Sequence, residues 1–178
     1  MDEAWCHWIY WEKYTFYVVI NLIIFYMEFT IKNWNITITS DKKEIILTPE
    51  MVTLDGLDIE FPGEYEKSGC LMYAFSKNDE KLYHFRTEGY WVAYIPQLLI
   101  DISTEALDFL GGIDILVMPG AKSMQGTLEK VEPELLVTYG ELANEIAIAL
   151  GSTGEVLAKY KMKDADLSME KTTCVVMG

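Results

Sequence analysis

Gly-Ile-Asp-Ile-Leu-Val-Met-Pro-Gly, residues 112–120, sets apolar side chains at 113 and 115–118 between a glycine pair and a Pro-Gly stop. A short run with no polar alternation suits a strand buried on both faces, and such strands belong to parallel sheets covered by helices. This predicts a central strand in an α/β sheet. Just upstream, Ser103 is a good helix N-cap, Glu105 suits the first turn and Gly111-Gly112 supplies a stop, which predicts a helix ending at Leu110. Downstream, residues 127–131 read as a short helix, 135–139 (LLVTY) as a second buried strand and 141–150 as a helix closed by Gly151. Strand, helix, strand, helix is α/β order.

Further out the pattern turns to β. Residues 29–47 read as an antiparallel meander with turns at Lys32-Asn33 and Ser40 to Lys43. Strands are also expected at 57–61, 69–76, 82–86 and 90–95, the last two flanking a Glu88-Gly89 turn. The tail offers a strand at 155–160, a polar turn at 163–167 and a final strand at 174–177. The uncharged run 14–27 (YTFYVVINLIIFYM) stands near Trp5, Trp8, Trp11 and Trp34. It falls short of the roughly 20 apolar residues of a spanning helix. Its β-branched and aromatic residues favour buried strands, while a membrane anchor over residues 14–31, followed by Lys32, Lys42 and Lys43, is the rival reading. The chain thus divides into an apolar aromatic segment, 1–28, and one domain, 29–178.

With 178 residues and a formal charge of −14, the chain suits a single domain and repels phosphate backbones. Nucleic acid is not an expected partner. Three scattered cysteines, Cys6, Cys70 and Cys174, and a start without a basic secretory signal point to the cytoplasm.

Few residues invite chemistry. There are two histidines, His7 and His84, whereas catalytic zinc sites usually use two or three imidazoles with an open position. Asp55, Asp58, Glu60, Glu64 and Glu66 gather in sequence and suit a hard cation such as magnesium or calcium, but their spacing matches no known loop and reads as a solvated acidic loop. Neither a G-x-S-x-G elbow nor a phosphate loop is present.

Phe61-Pro62-Gly63-Glu64-Tyr65-Glu66, then Gly112 to Gly120, then Val131-Glu132-Pro133-Glu134-Leu135-Leu136-Val137 follow one another in an order that resembles the metallo-β-lactamase fold. Within it the chain is similar to the small bacterial metal-dependent hydrolases of the ascorbate-6-phosphate lactonase-like branch. Residues 161–167 before a last apolar strand are similar to that branch's carboxyl terminus. The resemblance implies an αββα sandwich over residues 29–178, here truncated and β-rich in its amino-terminal half, with a dinuclear metal site that activates water. It also places the metal stations, and this sequence departs from each. The His-x-His-x-Asp-His loop is due between the strand around Ile36 to Thr39 and Phe61-Pro62-Gly63, where no histidine occurs. Pro96-Gln97 stand where a Gly-Asp pair should supply a bridging carboxylate, and Thr138-Tyr139-Gly140-Glu141 where a last histidine is due. Gln97 and Gly140 are therefore degenerate metal stations. The expectation is a pseudoenzyme without catalytic residues, metal or cofactor, acting through a protein partner or as a homo-oligomer. The rival expectations are a hydrolase with a reworked carboxylate site and a domain anchored at the cytoplasmic face of a membrane.

Overall fold

A computed structural model describes residues 27–40, 43–168 and 170–178. Expectations for residues 1–26, including His7, Cys6 and the strand-or-anchor reading of 14–26, lie outside the described residues. The chain forms β1 Met27–Lys32, β2 Asn35–Ser40, β3 Lys43–Leu47, β4 Val52–Leu54, β5 Leu57–Ile59, β6 Gly63–Lys67, β7 Cys70–Lys77, β8 Glu80–Thr87 and β9 Tyr90–Tyr94. Then come α1 Thr104–Leu110, β10 Ile115–Pro119, α2 Gln125–Val131, β11 Leu135–Tyr139, α3 Ala143–Ala149, β12 Val156–Leu157, β13 Lys159–Met162 and β14 Thr173–Met177.

The strands make two sheets. One is antiparallel, in the order β13-β1-β2-β3-β4-β5, and contains the meander expected over 29–47. The other is mixed, in the order β12-β14-β11-β10-β9-β8-β7-β6, parallel from β12 to β9 and antiparallel from β9 to β6. Hairpin turns at Asn33-Trp34, Asp55-Gly56, Ser68-Gly69, Asn78-Asp79 and Glu88-Gly89 carry positive φ at both central residues. That backbone matches the twist of paired strands.

β10 shows why its sequence lacks polar alternation. Ile115 and Val117 enter a cluster shared by both sheets, with Phe29, Ile38, Ile45 and Leu54 from the six-stranded sheet. Leu116 and Met118 point the other way, into a cluster with Ala106 and Leu110 of α1, Leu128 of α2 and Ile146 of α3. Each face of the strand is buried by a different layer. α1 starts as expected, with Ser103 Oγ accepting from Ala106 N at 3.2 Å.

Three expectations change. The strand expected at 155–160 is two strands in different sheets: β12 lies parallel to β14 and β13 antiparallel to β1, with Ala158 crossing between them and accepting from Ile31 N. The acidic stretch around Glu64 is not a loop but β6, paired with β7. Only Tyr65 packs against the core from it, so it lacks the apolar content by which strands are recognised in sequence. Finally, α1, α2 and α3 all bury their residues against the eight-stranded sheet, and among the described residues no helix lies on the outer face of the six-stranded one. That outer face carries Glu28, Thr37, Thr39 and Glu44, with Glu28 between Lys159 and Lys161 at 2.7 and 3.6 Å. β1 begins at Met27, the first described residue.

Gly120 ends β10 where α3 approaches most closely. A methyl group there would meet Thr138 Oγ1 at 2.3 Å and Ala143 Cα at 2.5 Å. Gly120→Ala is expected to destabilise the protein by about 1–3 kcal/mol through overpacking, read as a lower urea midpoint at an unchanged slope.

Candidate functional site

In sheets with parallel strands, ligands favour the carboxyl ends of those strands. Here that edge is made by the residues following β9, β10, β11 and β14. Gln97 and Gly140 both lie on it, three residues after β9 and one after β11, with β10 between the two strands. Gly140, at φ 100°, turns the chain into α3, and its carbonyl accepts from Ala143 N at 3.2 Å. Gln97 Nε2 is buried and has no hydrogen-bond partner.

The sequence reading missed the group that dominates the inner side of this edge. Tyr94 and Tyr139, the last residues of β9 and β11, face each other in the inter-sheet core with hydroxyls 3.1 Å apart. Tyr94 also stacks on Tyr83, centroids 6.0 Å apart, and Tyr83 donates to Ile59 O across to the other sheet at 3.4 Å. Burial raises the pKa of both Tyr94 and Tyr139, with the facing Tyr139 adding to the effect on Tyr94. Both remain neutral phenols. A signal for the pair was present: two tyrosines at matching ends of strands separated by a single strand, on the same face.

His84 is not at this edge. It sits on β8, on the helix-facing side, with ring centroids 4.5 Å from Trp91, 6.4 Å from Tyr73 and 6.3 Å from Phe109. Arg86 lies over the same Trp91 ring at 5.5 Å. His84 Nε2 is buried without a partner, and burial lowers its pKa from the ordinary 6.5. The acidic residues are also dispersed. Asp55 occupies a hairpin turn and accepts from Ser68 Oγ, and Asp58 accepts from Thr53 Oγ1 at 2.7 Å. Glu64 and Glu66 are exposed on β6, and Glu60 precedes it.

Among the described residues no three His, Cys, Asp or Glu side chains come together as metal ligands. At the edge itself Gln97 offers a buried amide without a partner and Tyr94 and Tyr139 offer two mutually paired phenols, with no imidazole among its described residues. The donor set does not fit the dinuclear metal that the resemblance implies.

No family model and no curated protein matches this chain. A solved structure does. A protein of Thermotoga maritima, provisionally described as a Zn-dependent hydrolase of the metallo-β-lactamase superfamily, aligns with a TM-score of 0.68 over 85% of this chain and 98% of that one, at 14% sequence identity. The chain therefore has a strand-rich, mixed α/β, metallo-β-lactamase-like fold. The likeness extends to the fold alone.

Two expectations follow from the geometry. Tyr139→Phe should cost about 1–2 kcal/mol by leaving the Tyr94 hydroxyl buried and unpaired, while Tyr94→Phe with Tyr139→Phe should lie close to wild type, because no polar group is then stranded. Urea denaturation of the single and double variants checks this. For His84 the folded pKa lies below the unfolded one, so its contribution to stability is complete above pH 6.5 and is lost as the pH falls below that value. Urea midpoints between pH 7.5 and 5.5 should decline in the wild type and flatten in His84→Phe.

Proposed function

We propose that this chain is a non-catalytic protein on a metallo-β-lactamase-like fold, acting by binding another protein. The observation that carries this reading is the Tyr94–Tyr139 phenol pair with Gln97 at the carboxyl edge, where hydrolytic metal chemistry would need anionic and imidazole donors. A phenol held neutral by burial neither bridges two cations nor activates water. Exposed apolar side chains support the binding role. Leu98 beside Gln97 is 55% exposed, Ile100 67% and Leu142, two residues past Gly140, 49%. Apolar side chains grouped at one edge are the raw material of a protein contact.

Within the same proposal, the chain is akin to the ascorbate-6-phosphate lactonase-like branch, on the order of its Phe61 to Glu66, Gly112 to Gly120 and Val131 to Val137 stretches. Its architecture is an abbreviated form of that branch's sandwich, two sheets with helices on the eight-stranded one, and Gln97 and Gly140 stand at lost metal stations. A cytoplasmic location is part of the reading, supported by the free thiols of Cys70 and Cys174. Among the described residues no helix is long and apolar enough to cross a membrane.

Elemental analysis of the full chain, purified without added metal, tests the proposal without requiring a substrate. Zinc, manganese and iron are each expected far below one equivalent in a sample whose circular dichroism is that of a folded protein. Near-stoichiometric metal that a chelator removes would refute it.

A further inference from the structure

The two sheets present two sides at which strand edges meet. On one, β12 and β13 are joined by Ala158, and backbone bonds from Ile31 N and Gly178 N tie the crossing down at 3.2 and 3.1 Å. On the other, β5 and β6 are joined by Glu60, Phe61 and Pro62. Among the described residues β6 pairs only with β7, so alternate backbone N–H and C=O groups of Gly63–Lys67 face away from the sheet. Glu64, Glu66 and Lys67 are exposed, and Phe61, whose carbonyl accepts from Tyr65 Oη at 2.8 Å, is 70% exposed.

The register assigns the side chains of this edge to faces. Tyr65 pairs with Met72 and packs toward the inter-sheet core, whereas Glu64 and Glu66 pair with Tyr73 and Leu71 on the opposite face. A strand added here would meet carboxylate, tyrosine, carboxylate along its length. We propose that β6 is the docking edge for an extended basic segment of a partner protein, added as a further strand with Lys or Arg opposite Glu64 and Glu66 and an apolar residue between them opposite Tyr65. Backbone hydrogen bonds supply the attachment, and the alternating side chains supply the selectivity.

A second copy of this chain is the wrong occupant. Antiparallel self-pairing about Tyr65 sets Glu64 of each copy opposite Glu66 of the other, and parallel self-pairing in register sets each glutamate opposite itself. Like charges directly opposite across strands are destabilising, and each copy carries −14 overall.

The proposal rests on the binding reading above but uses a surface apart from the carboxyl edge. The probe is the blocked heptapeptide Ac-Val-Lys-Val-Lys-Val-Lys-Val-NH2, added to the full chain and followed by hydrogen exchange. Amides within 63–67 should gain protection, and an analogue N-methylated at every residue should not bind. Glu64→Lys with Glu66→Lys should weaken the lysine peptide about tenfold or more and favour its glutamate counterpart. Three results would overturn the proposal: protection of 63–67 already present in the free protein, no gain with peptide, or equal binding by the methylated analogue, which marks undirected attraction to an acidic protein. Metal content measured on the same sample separates the two proposals. Stoichiometric metal with peptide bound sinks the non-catalytic reading alone, and a metal-free sample without peptide binding sinks the edge alone.

Discussion

Burial of both faces of β10 and β11 is the constraint from which the remaining structure follows. Ile115, Val117, Leu135 and Val137 need a layer on one side, and Leu116, Met118 and Leu136 need one on the other. The six-stranded meander serves the first and α1 to α3 the second. Parallel pairing of β9, β10, β11 and β14 follows as well, since each crossover must carry a covering helix or return across the sheet. The same geometry gathers the carboxyl ends of these strands at one edge.

Those parts of the chain were legible where a single rule governed the residues. The apolar run at 113–118, the cap at Ser103 and the alternation of Phe29, Ile36, Ile38, Ile45 and Leu47 each reflect local periodicity or local hydrogen bonding, and the elements lie where those rules set them. β6 was illegible because an edge strand with one half-buried side chain carries almost no apolar signal. The split at Ala158 was illegible because two strands of two and four residues, in different sheets, read as one apolar stretch. Both failures arise where pairing across the sheet, and not periodicity along the chain, determines the backbone.

The candidate site divides in the same way. Two histidines are few for a zinc site by count alone, and Gln97 and Gly140 lie at the carboxyl edge of the parallel strands. What filled the space between the sheets needed the strand order as well as the positions of the tyrosines. Tyr94 and Tyr139 lie 45 residues apart and become partners only through the parallel order β9-β10-β11.

Electrostatics links these features more tightly than their separate description suggests. Carboxylates gathered at a buried edge are stable while a cation neutralises them, and without it each carries a desolvation cost and repels its neighbours. Neutral polar groups such as the Gln97 amide and the paired phenols carry no such charge cost. Gln97 keeps the length of a polar side chain without the charge. The phenols add volume and satisfy one another, the pairing that makes two buried hydroxyls tolerable. On β6 the carboxylates of Glu64 and Glu66 are exposed, and on the outer face of the six-stranded sheet Glu28 is neutralised by Lys159 and Lys161. Neither arrangement leaves a carboxylate buried without a cation or water to offset its desolvation.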